Sequence, residues 1–220
     1  MSTEPSRTPR TARGNRTRTK ILTAAEQIFA SVGYHEASIV KITEAAEVGL
    51  GTFYLYFGGK KEIFDEVVED LNHRVRQAMT RAANAEANRM DAERAGFRAF
   101  FEFTAEHPAL YRIIRQAEFV SPGALKLHYS RIVEGYIQGL KKAQASGDVR
   151  KLDPEVVAWA LMGVGEIIGM RWVLWGPLDS EAALSPSNNT TNSVPEDVFN
   201  TMMEFIERGL APDETERKNA

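Results

Sequence analysis

Cysteine is missing from all 220 residues. That excludes disulfides, thiolate metal sites and a cysteine nucleophile, and is compatible with a reducing compartment. Histidine is scarce: His35, His73, His107 and His128 are scattered, without the HxxxH or HExxH spacing that places two ligands on one metal. No GxSxG, Walker A or GxGxxG pattern occurs. With no motif proposing a catalytic constellation, neither an enzyme nor a cofactor is expected. No run reaches the roughly 18 apolar residues of a membrane span. The richest stretch, Val156–Trp175, is broken by Glu166 and Arg171. The first twenty residues are basic but hold no apolar core, unlike a signal peptide. Strand-like alternation and internal repeats are also absent, which leaves an all-α fold.

What the chain does hold is enough apolar material, 43% of residues, to bury a core in one or two domains. Its net charge of −3 is unevenly spread. Residues 1–61 carry nine Lys/Arg against five Asp/Glu, a net +4; the remainder carries 18 against 25, a net −7. A basic head on an acidic body turns one end toward a polyanion. Residues 1–15, poor in apolar side chains, are expected to be a disordered basic arm, either reaching DNA or simply solvated. The tail over 211–220 is expected to fray.

The most informative stretch is Val48–Lys61, VGLGTFYLYFGGKK. Before it lies a small-residue helix over 39–46, with Ser38 as its N-cap. Before that, Ile21, Ala25, Ile28 and Val32 make one face of a helix over 16–32, closed by Gly33. A short helix, a tight turn and a second short helix over 50–56 make a helix-turn-helix. Phe53 and Phe57 fall at core spacing. Thr52, Tyr54, Tyr56 and Lys60 are hydroxyl and ammonium groups of the kind that hold phosphates beside a major groove. Leu50, Gly51, Thr52 and Leu55 lie nearest the bases. Leu50 and Leu55 cannot hydrogen-bond, so recognition leans on thymine methyls and DNA shape.

Ser38-Ile-Val-Lys-Ile42-Thr-Glu-Ala-Ala46-Glu-Val48-Gly-Leu-Gly51-Thr52-Phe-Tyr54-Leu-Tyr56-Phe57-Gly-Gly-Lys60-Lys-Glu62-Ile63 resembles the DNA-binding domain of the TetR/AcrR family of bacterial regulators. The resemblance covers about residues 17–71. It implies a DNA-binding set of Ser38, Lys41, Gly49, Leu50, Gly51, Thr52, Tyr54, Leu55, Tyr56 and Lys60. By this analogy Tyr54 points at phosphate; otherwise it is a half-exposed packing tyrosine. Three positions depart from the family pattern. Glu47 stands in place of the turn glycine, a strained choice if the backbone is left-handed. Gly49 and Gly59 replace two capping serines, a small loss because glycine is itself a tolerated cap.

Domains are accordingly expected at 16–61 for DNA binding and 62–210 for ligand binding and dimerisation, with a flexible loop over 176–193. Asp153-Pro154-Glu155 is a strong helix start. Ser193-Val-Pro-Glu196 reads as a capping box. Phe97, Phe101, Tyr111, Phe119, Tyr129, Tyr136, Trp159 and Trp172 either line an apolar ligand cavity or fill a solid core. Arg112, Arg115, Glu166 and Arg171 sit in apolar helices as an internal cluster, an anion-binding end of a pocket, or surface charges. Small residues at Gly165 and Gly169, with Trp172 and the stripe Phe199–Met203–Ile206–Leu210, suggest a dimer contact. The resemblance implies a cytoplasmic homodimer, at the nucleoid when bound to a near-palindromic operator. It would be a repressor released by a small, mostly apolar effector, with no membrane partner. The alternatives are an activator, or a helical ligand-binding protein whose head no longer reads DNA.

Overall fold

The computed structural model describes residues 11–175 and 193–212. The arm over 1–10, most of the loop expected at 176–193 and the tail beyond 212 lie outside the described residues. All regular structure among the described residues is helical: α1 (Ala12–Glu36), α2 (Ile39–Ala45), α3 (Leu50–Tyr56), α4 (Lys60–Ala83), α5 (Arg89–Glu106), α6 (Ala109–Val120), α7 (Pro122–Ser146), α8 (Pro154–Gly169) and α9 (Glu196–Leu210). The chain forms two compact units. Among the described residues, one takes those up to Asn72 together with Ala109–His128; the other takes His73–Pro108 and those from Tyr129 onward. α4 and α7 therefore each contribute residues to both. Helix α1 begins earlier than composition suggests: Thr11 caps it by accepting from Gly14 N at 3.1 Å, so residues 12–15 are helical rather than part of a disordered arm.

The first unit is built on small and aromatic side chains. Ile21, Ala25 and Phe29 of α1, Ile42 of α2, Phe53 of α3 with Phe57 after it, and Ile63 and Phe64 of α4 are fully buried. Phe29 and Phe64 meet edge to face at 5.2 Å, a favoured aromatic geometry. Gly33 interrupts the regular part of α1 at φ +79°, ψ 165°, a region open to glycine and costly for a residue with a Cβ. The amide that follows is satisfied from α6, where Gln116 Oε1 accepts from Tyr34 N at 2.6 Å. A buried pair closes the unit: Asn72 Nδ2 donates to the His128 carbonyl at 3.0 Å.

The second unit packs around the phenylalanines of α5. Phe97 and Phe101 meet Val133 and Leu140 of α7, Ala158 and Leu161 of α8, and Phe199, Met203 and Ile206 of α9. A Cβ at Gly165 would lie 2.9 Å from Phe97 Cε1, so that glycine admits the α5 ring. α8 starts as expected, with Asp153 Oδ1 accepting from Glu155 N and Val156 N. It continues as a π turn over Met170–Leu174. By length and hydropathy alone Pro154–Leu174 qualifies as a membrane span, which the interruptions at Glu166 and Arg171 did not suggest; it also supplies Ala158 and Leu161 to this core. Pro195 directly precedes α9 and makes no side-chain bond. The Glu196 carboxylate accepts from Arg98 at 2.9 and 3.0 Å, and that guanidinium lies 4.2 Å over the Phe199 ring.

The Arg98 hydrogen bonds hold the Glu196 carboxyl below its ordinary value of about 4.5. A lowered carboxyl stabilises the fold above its unfolded value, and the contribution is lost as pH falls through the lower folded value. Glu196→Gln should therefore lower the urea midpoint at pH 7. The gap to the unsubstituted chain should close as the pH falls below about 4.5, which urea titrations at pH 7 and pH 3 will measure.

Candidate nucleic-acid interface

The helix-turn-helix closes through its backbone. After α2, Ala46 N donates to Ile42 O at 2.9 Å, Glu47 N to Glu44 O at 3.0 Å and Val48 N to Thr43 O at 3.0 Å. Glu47 has φ +49°, and among the described non-glycine residues only it has a positive φ. The turn that normally asks for glycine thus forms in the left-handed region with glutamate in place. The Glu47 carboxylate accepts from Lys20 at 2.6 Å, an exposed pair that holds its carboxyl below the usual range. Gly49 caps α3 without a side-chain bond, while Ser38 Oγ caps α2 by accepting from Lys41 N at 3.1 Å. The three departures from the family pattern leave the motif intact.

Helix α3 has two unlike faces. Phe53 and Phe57, one turn apart, are fully buried. Gly51 and Leu55 fall on the opposite side and are exposed, Leu55 by 69%; Leu50 and Tyr54, nearer the buried rings, are also exposed, Tyr54 by 50%. Thr52 and Tyr56 flank them, half-buried. Two leucines and a tyrosine are thus left exposed on a short helix, the Tyr54 ring meeting Phe53 edge to face at 5.4 Å.

The lysines of the head are already engaged. Lys41 Nζ donates to Glu36 O at 2.9 Å, and Lys61 Nζ reaches Asp65 at 2.7 Å and Ser121 Oγ at 3.0 Å. Lys60 Nζ donates to the carbonyls of Tyr34 and Ala37, each at 2.9 Å, and sits 4.4 Å over the Tyr34 ring. Lys60 therefore satisfies carbonyls at the end of α1, where sequence placed it at phosphate. Arg18, not singled out from sequence, pairs with Glu66 and stacks over Phe57 at 5.0 Å. Arg13 and Arg16, on the first turns of α1, are exposed and have no partner among the described residues.

The residues expected in the ligand pocket are divided between the two units. Tyr111 and Phe119 belong to the first unit, Tyr111 buried and Phe119 82% exposed. Phe97 and Phe101 are core. Tyr129 donates to Glu166 at 2.7 Å beside Trp159, and Trp172 carries Arg171 over its ring. Arg112 and Arg115 are exposed in the first unit, while Glu166 and Arg171 belong to the second. The second unit has instead a cavity of about 300 Å³ between α4, α5 and α7, and of the eight aromatics only Tyr136 lines it. Its signal in the sequence was the one-turn pair Gly135 and Gly139. The dimer stripe is also corrected: Phe199, Met203, Ile206 and Leu210 are buried within their own chain, as are Gly165 and Gly169. The apolar residues these helices expose are Val156, Trp159 and Ile167 on α8 and Phe205 on α9.

Residues 21–67 match the family model of bacterial regulatory proteins, tetR family. Over 177 residues the chain is 29% identical to the HTH-type transcriptional regulator YdgC of Bacillus subtilis (strain 168), covering 76% of this chain and 87% of that protein. Over 118 residues it is 33% identical to the HTH-type transcriptional activator FasR of Mycolicibacterium smegmatis, covering 50% and 52%. Its fold is similar to that of a TetR family transcription regulator from Marinobacter aquaeolei VT8, with a TM-score of 0.67, 16% identity, and coverage of 90% and 97%.

Two substitutions test the head. Glu47→Gly relieves the left-handed strain and should raise the thermal midpoint, provided the gain exceeds the loss of one exposed ion pair, which is worth little. Lys60→Met keeps a chain over Tyr34 but removes the carbonyl contacts. It should destabilise the head by about 1–3 kcal/mol while leaving the salt slope of DNA binding unchanged. A lost phosphate contact would instead reduce that slope by about 0.9.

Proposed function

We propose that the chain is a TetR-family DNA-binding transcriptional regulator and works as a ligand-responsive repressor. The observation that carries this reading is α3, whose buried Phe53 and Phe57 aim Leu50, Tyr54 and Leu55 outward. A helix so presented fits the major groove, with Tyr54 and Thr52 toward phosphate and the leucines toward thymine methyls. Arg13 and Arg16 add the backbone contacts that the engaged lysines do not. The family is generally non-enzymatic, and its regulators act where the DNA is. A second reading, activation, draws on the name of FasR, and differs in where the operator lies rather than in the chemistry of the head.

Regulators of this family are typically dimeric. We place the contact on the faces that α8 and α9 turn away from their own core: Val156, Trp159 and Ile167, with Phe205. Val156 and Ile167 lie three turns apart on α8, so a second copy of the same face covers a continuous apolar strip. Two heads then read half-sites one helical turn apart in a near-palindromic operator. The effector occupies the cavity of the second unit, and α4 and α7, shared between the units, carry its effect. Coupling of ~1–3 kcal/mol, five- to 150-fold in operator affinity, is enough for release.

A gel-shift with DNA flanking the protein's own gene should show binding that weakens with salt. Tyr54→Phe and Leu55→Ala should weaken it by about fivefold, on the order of 1 kcal/mol, without lowering the thermal midpoint. If both bind as well as the unsubstituted protein, α3 is not the reading helix. Ile167→Glu should give a monomer in sedimentation velocity; a dimer there would move the contact elsewhere.

A further inference from the structure

We propose that the cavity of the second unit takes a small organic anion, a carboxylate on a short apolar body, with its charged end on Arg89. This rests on the reading of the cavity as an effector site and adds the chemistry of the effector. The charges of the lining are Arg76, Arg89 and Arg131 against Glu93, a net +2. A cavity with that balance in a low-dielectric wall favours a negative guest. Its volume of about 300 Å³ lies at the small end of ligand sites.

Arg89 is the group best placed to receive the anion. One guanidinium nitrogen, Nη2, donates to Glu93. Nε is buried and has no hydrogen-bond partner, a state that buried N–H groups avoid. Arginine offers five donors in a planar fork suited to a carboxylate, so the Glu93 contact leaves capacity for a second acceptor. Helix α7 is cut away to admit this side chain, because a Cβ at Gly139 would collide with Arg89 Nη1. Tyr136 lines the same cavity with a hydroxyl; burial pushes its phenol up, so it stays a donor at neutral pH.

Glu93 does not make this a cation site. It is almost fully buried and already answered by Arg89. Burial raises its carboxyl above the ordinary value against the pull of Arg89, so a bound anion competes with a carboxylate that holds its charge poorly. The rest of the lining includes Met79, Ala83, Ala92 and Ile132, apolar walls for the body of the guest.

The test is calorimetry on the full chain without DNA, using octanoate, 1-octanol and octylamine. Octanoate should bind once per chain, at least tenfold tighter than octanol, with octylamine weakest. The double variant Arg89→Gln, Glu93→Gln removes both charges together and keeps amides that can pair. It should weaken octanoate at least tenfold and change octanol by less than twofold. Gly139→Ala leaves every charge in place but pushes the guanidinium aside, and should weaken octanoate as well; it decides the matter if the double variant does not fold. The proposal is overturned if octanol matches octanoate, if octylamine binds best, if octanoate does not bind, or if octanoate ignores both variants. Octanol or octylamine in the cavity would remove the anion and leave an effector site. Octanoate binding with unchanged operator affinity would keep the anion and remove the effector role.

Discussion

A helix of seven residues cannot hold itself together in water, since nucleation costs more than so few hydrogen bonds return. Helix α3 is that short, and it must also keep half its surface bare to be useful. Everything in the first unit answers this constraint. Phe53 and Phe57 bury their rings completely, so that α3 is pinned by its back. Arg18 covers Phe57 while pairing with Glu66 of α4. The turn before α3 is fixed by three backbone hydrogen bonds even though Glu47 sits in a conformation that suits glycine. Local strain of this kind persists only where the surroundings over-determine it.

Charge within the head is divided between holding and reaching. Lys41 and Lys60 cover carbonyls at the end of α1, and Lys20 and Lys61 answer carboxylates. A lysine over helix-terminal carbonyls relieves acceptors that have no helical partner and opposes the negative end of the dipole. The same side chain cannot at once be fully committed there and fully committed to phosphate. Arg13 and Arg16, on the first turns of α1, carry no such obligation among the described residues.

The head was legible because its constraints are local and dense. Glycine at the end of α1, serine at the start of α2, paired aromatics on α3 and a fixed spacing between them leave little freedom. Ser38 and Asp153 behave as caps because capping is a matter of a few neighbouring atoms. The body was legible in its helices but not in which way they face. α8 is apolar nearly all round, so periodicity cannot say which side meets its own chain; Gly165 turned out to admit Phe97, and Ile167 to face water. α9 shows the same ambiguity: its clean stripe is core, and the lone Phe205 outside it is the exposed apolar group. The aromatic set was hard to place for a related reason. Large rings fill space, and the space left over is bordered by glycines and by arginines that a hydrophobicity count passes by.

Neither unit is a continuous piece of chain, and this bears on synthesis. The first unit needs α6, where Gln116 satisfies the end of α1 some eighty residues earlier. The second needs α9, whose Phe199 and Met203 complete a core begun by Phe97 and Phe101 of α5. Chains grow at about 5–20 residues per second, so the phenylalanines of α5 leave the ribosome on the order of 5–20 s before their last partners. During that interval a phenylalanine-rich helix is without its lid. The nascent chain, more than the finished protein, is where this fold is exposed to aggregation and where a chaperone would find its binding site.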